Sequence, residues 1–139
     1  MPLEFYGLVK AHAQERPDHP AIIDGDVIVS YRQLIEMLDK FAGALGALGL
    51  NPDSKLGILC MNQREYLIAF LGALYKGLPF IPFNFMLPPD DLAFIAGDAG
   101  IDTILADSAF IKPPYSAFFK MFRYRIFIEG GESPEILGE

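Results

Sequence analysis

Few residues in this chain have the type and spacing to do chemistry. Asp90 and Asp91 stand side by side and could mimic an acidic pair that receives a phosphoryl group. They follow Pro88-Pro89 at the head of a helical pattern, and stabilisation of a helix start accounts for them better. His12 and His19 are the two histidines, and neither belongs to a metal-ligand pattern, so solvated surface positions are expected. Cys60 ends an apolar run where a nucleophile could sit; no base accompanies it, which favours a buried structural cysteine. Lys76 falls in a last helical turn, where the dipole favours a cation. Asn84 lies just past an apolar strand, where open α/β sheets place ligands, although a turn-stabilising role fits it better. Gly43, Gly46 and Gly49 recur every third residue, but inside or at the end of a helix. A phosphate loop sits between a strand and a helix, so these glycines read as one small face for close packing. No catalytic, cofactor-binding or metal-binding residue is assigned on these grounds.

Composition sets the frame for those residues. A length of 139 suggests one domain with a real core. The chain is 52% hydrophobic and 13% aromatic, high for so small a domain. Apolar surface left over, including Phe118, Phe119, Met121 and Phe122, is expected to be covered by another chain or domain. The net charge of -7, with scattered lysines and arginines, disfavours nucleic acid and anionic membranes. A single cysteine excludes an intrachain disulfide and, with no signal-peptide pattern, fits a reducing cytoplasm. Residues 66–87 carry one charge, Lys76, yet Gly77 and Pro79 interrupt them and the charge sits at the centre. A transmembrane segment is therefore not expected.

The elements that must position these residues follow from periodicity. Residues 3–15 suggest a helix with Leu8 and Val9 inward. Asp24-Gly25 between two β-branched runs signals a hairpin. Ser30 and Gln33 make a capping box, and Leu34, Leu38, Phe41, Leu45 and Leu48 mark one helical face ending at Gly49. Residues 55–61 read as a strand buried on both faces. Asn62 and Glu65 suggest a second capping box, for a helix presenting Leu67, Phe70, Leu71 and Leu74 and ending at Gly77. Phe80-Ile81-Pro82-Phe83 is a strand that Pro82 makes short or places at an edge. A helix to Gly100, a strand over 101–106, a broken helix over 108–121 and a last strand over 123–129 follow. The alternation builds βαβ units: an α/β fold with an open, mainly parallel sheet, helices on both faces and a short hairpin in front. Residues 1–129 are expected to form one α/β unit and 130–139 a mobile tail.

The order of these pieces resembles adenylate-forming enzymes. Ser30-Tyr31-Arg32-Gln33-Leu34 is similar to their first core motif, and Leu74 through Asn84, with Gly77 and Pro82, to their second. Residues 49–62 and 91–107 resemble the family's intervening and following segments, and 17–22 its opening. The resemblance covers roughly residues 2–110 and looks most like acyl-CoA synthetases, in the region of their N-terminal portion. It implies structural roles for Tyr31, Leu34, Gly77, Pro82 and Asn84. Phe85 departs from the proline many relatives have there. Relatives activate a carboxylic acid with ATP and magnesium and pass the acyl group to a thiol, usually CoA. Their phosphate loop and nucleotide motifs have no counterpart here, so the chain is expected to hold no cofactor and to be inactive alone. Its expected partners are the remainder of a ligase chain or a second copy, through an apolar face. The alternative expectation is a stand-alone flavodoxin-like module binding a small ligand or a protein.

Overall fold

A computed structural model describes residues 2–50, 53–61, 63–128 and 135–137. The chain divides into two compact units, one of Met1–Pro52 with Gln63–Leu78, the other of Asp53–Asn62 with Pro79–Glu139. The single unit expected over 1–129 thus resolves into two groupings, each with its own buried cluster.

The first unit holds α1 (Pro2–Glu15), the strands β1 (Pro20–Asp24) and β2 (Val27–Ser30), α2 (Tyr31–Ala47) and α3 (Arg64–Lys76). β1 and β2 pair antiparallel with Asp24 opposite Val27, leaving Gly25 and Asp26 as the loop. Gly25 has φ 59° and, among the described residues, no non-glycine φ is positive, the pattern of a turn with glycine first. The expected box at Ser30 forms: its hydroxyl accepts from the Gln33 N–H at 3.2 Å, and Gln33 accepts from the Ser30 N–H at 2.9 Å. Tyr6, Ile22, Val29, Leu34, Leu38 and Leu71 form the core.

Two faces differ from expectation. In α1, Tyr6 is buried and Leu8 is exposed. In α3, Leu67 is exposed, and the buried side is Ala69, Leu71, Gly72 and Ala73. Among them, Gly72 lies against the Phe41 ring of α2, which fills the space a Cβ there would need. The cap of α3 is Gln63, without a side-chain cap bond; the expected Asn62 box lies outside the described residues. The glycine face of α2 does not pack closely either. A Cβ on Gly43 or Gly49 would meet nothing within 4 Å, and one on Gly46 would meet only Lys76.

The second unit holds β3 (Leu56–Leu59), β4 (Phe80–Pro82), α4 (Pro89–Ala99), β5 (Thr103–Asp107), α5 (Ser116–Phe119), β6 (Tyr124–Ile128) and β7 (Glu135–Leu137). The sheet order is β4-β3-β5-β6-β7, with parallel pairs throughout except β6 with β7. β7 follows the strand expected to be last, and antiparallel pairing to β6 extends the sheet into the segment expected to be a mobile tail. Leu59, Ile104, Ala106 and Phe127 share a cluster with Leu92 and Ala96 of α4. The alternate row, Ile58, Leu105 and Ile126, is buried too, as a parallel sheet requires.

Phe118, Phe119 and Phe122, expected on a surface awaiting a partner, are 3–4% exposed instead. They stack edge-to-face in the core: Phe118 with Phe122 at 5.0 Å, Phe83 with Phe118 at 5.6 Å and Phe119 with Phe127 at 5.2 Å. Only Met121 of the four stays exposed. These three rings are consumed within the unit, where they join the cluster beside the sheet.

Three helices end by one device. Gly49, Gly77 and Gly100 have φ 83°, 71° and 66°. The next residue donates five back, Leu50 to Leu45, Leu78 to Ala73 and Ile101 to Ala96, while each glycine donates to the carbonyl three before it. These are Schellman ends, and the hydrophobic residue after each glycine is buried.

Candidate functional site

Tyr31 is the first residue of α2, and its N–H donates to the His19 carbonyl at 3.1 Å. Its ring lies 5.4 Å from that of His12 and 6.3 Å from that of His19. The histidines, expected as separate solvated residues, therefore meet over one tyrosine. His12 Nδ1 is buried with no hydrogen-bond partner among the described residues. Leu34, one turn on, is 3% exposed. Gly77 supplies the left-handed end of α3.

Pro82 shows why a strand can carry proline. β4 is an edge strand. The Phe83 N–H donates to the Ile58 carbonyl at 2.8 Å, so the nitrogen of Pro82, one residue back, points away from β3. The missing donor falls on the outer side and costs the ladder nothing. Pairing runs one residue beyond Ile81, since Pro82 stands opposite Ile58. Asn84 then closes the turn: its Oδ1 accepts from the Met86 N–H at 2.9 Å and its carbonyl from the Leu87 N–H at 3.0 Å.

Taken in chain order, the four parallel strands run 2-1-3-4 across the sheet, which puts the topological switch between β3 and β5. Ligands of open sheets bind at the carboxyl ends beside such a switch. Cys60 follows β3 there, 4% exposed. Asp107 ends β5, but its carboxylate accepts from the Ala109 N–H at 2.9 Å and caps a 3₁₀ turn. Residues 60–63, 83–88 and 107–115, which leave the three strands, contain no glycine. A triphosphate cradle needs close backbone approach at such a turn, and glycine provides it. Among the described residues no cluster of three metal-ligating side chains exists. At the carboxyl ends of β3, β4 and β5, the described residues therefore do not fit a nucleoside triphosphate with its magnesium. Asp90 and Asp91, in the first turn of α4 with Pro88 and Pro89 before them, sit where a helix start favours acids.

The first unit contains an open groove of about 440 Å³ lined by Asp39, Ala42, Gly43, Gly46, Tyr75 and Lys76. Lys76 ends α3, and the bare Gly46 leaves room for its ammonium: an added Cβ would lie 3.3 Å from Nζ. The Tyr6 hydroxyl donates to Asp39 Oδ1 at 3.3 Å, and its ring stacks on Tyr75 at 4.2 Å. Burial first, then the Asp39 carboxylate, pushes the Tyr6 hydroxyl up to about 12. Asp39 and Tyr75 escaped the sequence reading because they come from helices far apart in the chain. The groove has one cation and one carboxylate but no base aligned on a nucleophile. Among the described residues no helix is long and apolar enough to cross a membrane.

A family model described as AMP-binding enzyme matches residues 9–119. Bacitracin synthase 1 of Bacillus licheniformis is 31% identical over 99 residues, 71% of this chain and 2% of that protein. Coronafacic acid ligase from Pectobacterium brasiliense superposes with a TM-score of 0.81 at 14% identity, covering 88% of this chain and 25% of that one. A benzoate CoA ligase from Burkholderia xenovorans LB400 gives 0.78 at 24% identity, covering 91% and 25%. The chain thus spans a small part of the relatives it matches, and the solved structures speak to its fold alone. On the match across residues 9–119, the chain belongs to the AMP-binding, adenylate-forming enzyme family and carries sequence of its N-terminal portion.

Proposed function

We propose that the chain serves as a scaffold in an ATP-dependent ligase that activates a carboxylic acid as an acyl-adenylate and transfers it to CoA. The observation that carries this is the family match over 9–119, within which the Asn84 side chain closes a turn and the Ser30 and Gln33 side chains cap α2. Stabilising the transition state of adenylation needs cations and a metal placed where charge develops. The described residues supply no such arrangement, so the chain alone performs no adenylation. Its partner is the remainder of a ligase polypeptide, and it works in the cytoplasm. A second reading, activation of an amino acid for peptide synthesis, is favoured by the 31% identity to bacitracin synthase 1.

Acid-dependent ATP–pyrophosphate exchange by the 139-residue chain tests the scaffold role. Background rates are expected with fatty, aromatic and amino acids, and exchange above background would overturn it. Exchange by a protein made of this chain joined to a relative's remaining domains separates the two substrate readings. Preference for an amino acid would remove the CoA-ligase assignment.

A further inference from the structure

The groove of the first unit holds two opposite charges that do not meet. Its volume is about 440 Å³, with Asp39, Gly43 and Gly46 of α2 on one side and Tyr75 and Lys76 of α3 on the other. Among the described residues neither Asp39 nor Lys76 forms an ion pair, and the Lys76 ammonium forms no hydrogen bond. A lysine in a last helical turn ordinarily extends its charge into water. This one is half-buried and lies over the bare Gly46, where an added Cβ would come 3.3 Å from Nζ. The carboxylate is held in place as well. The Tyr6 hydroxyl donates to its Oδ1 at 3.3 Å, and the Tyr6 ring stacks on Tyr75 at 4.2 Å. Oδ2 is left without a partner among the described residues. Glycine weakens a helix interior, yet packing makes no use of Gly43, where a Cβ would meet nothing within 4 Å. The unpaired charges and the bare floor between them are not needed by the fold.

We propose that this groove binds a zwitterion the size of a dipeptide, its carboxylate on Lys76 and its ammonium on Asp39. The pair of charges selects a ligand carrying both signs, since a simple anion would leave Asp39 unmatched and a simple cation would leave Lys76 so. Length follows from the helix. Asp39 and Gly46, the level at which the ammonium lies, are about 10 Å apart along α2. A charge-assisted contact of about 2.8 Å at each end leaves about 5 Å between the ligand's own charges. One extended residue spans at most about 3.6 Å and two about 7 Å, so a dipeptide bridges the groups and a free α-amino acid falls short. Its peptide unit lies over Gly43, where the missing side chain leaves room. This site goes beyond the scaffold role and draws on nothing from adenylation, because both charges belong to the first unit.

Titration of the full chain with alanylalanine, followed by the backbone amide signals in nitrogen-15 NMR, tests this. Saturable shifts are expected at Gly43, Gly46 and Lys76, with a dissociation constant of about the millimolar range for so small a ligand. Lys76→Met should weaken binding of the free dipeptide about three- to fivefold and leave that of its C-terminal amide unchanged. Asp39→Asn should do the same for the free dipeptide against its N-acetyl form, and Lys76→Met stands alone as the test should loss of the Tyr6 bond unfold that variant. Lys112→Met removes the same charge from an exposed position on the other unit and should leave every affinity unchanged. No saturable shift, or an equal effect of Lys76→Met on the free and amidated dipeptides, would overturn the proposal. So would matching shifts from sodium acetate at the same concentration, since the groove would then take any small anion.

Discussion

Each unit places a phenylalanine ring where a glycine lacks a side chain, and the two cases differ instructively. In the helical unit the Phe41 ring of α2 lies on Gly72 of α3. In the sheet unit the Phe83 ring lies on Gly57 of β3, where an added Cβ would come 2.5 Å from Cε2, with Ile101 at 3.2 Å on the same site. The helical glycine is penalised by backbone entropy that alanine would restore. The strand glycine meets two buried groups, Phe83 and Ile101, where the helical one meets a single ring. Two glycines that look alike in sequence should thus respond unequally to one added methyl group.

The largest expected effect is Gly57→Ala, about 2–3 kcal/mol of lost stability in urea unfolding, because two buried groups must shift. Gly72→Ala should cost less, about 1–2 kcal/mol, as helix propensity offsets part of the clash. Equal losses would show that the ring contacts, not the backbone, set the response. Ser30→Ala, which removes the cap of α2 without touching either ring, should cost about 1 kcal/mol.

Tyr6→Phe should cost about 1 kcal/mol at neutral pH through the lost bond to Asp39. It also has a pH signature. The Tyr6 hydroxyl is raised to about 12 from an ordinary value near 10, so the folded state holds the proton more tightly. That contribution is complete below about pH 10 and is lost as pH rises through 12. The wild-type chain should therefore lose stability more steeply across that window than the Tyr6→Phe variant; parallel curves would remove Tyr6 as the cause. Smallest of all, Gly43→Ala, at a position open to solvent, should gain about 0.5–1 kcal/mol. A loss there would mean that the glycine face of α2 is packed after all.

Much of this was legible beforehand because it is local. The Ser30 box, the Asp24-Gly25 hairpin and the Gly77 terminator each need only residues a few positions apart. Pro82 announced an edge strand because a missing donor has only one inexpensive place. Asn84 announced a turn because its side chain reaches the N–H two residues on. Leu8 and Leu67 were misread because periodicity gives a face but not which neighbour competes for it. In α3 the ring of Phe41 packs on Gly72 from a helix some thirty residues earlier.

By itself, then, the sequence determined where most of the elements start and stop, that strands alternate with helices, and which family the motifs belong to. Those are consequences of caps, turns and donor accounting within a few residues of chain. Only the tertiary structure decided the strand order, the grouping into two units, the burial of Phe118, Phe119 and Phe122, and the meeting of His12 and His19 over Tyr31. Each depends on side chains distant in sequence competing for the same volume, and no local pattern encodes the winner.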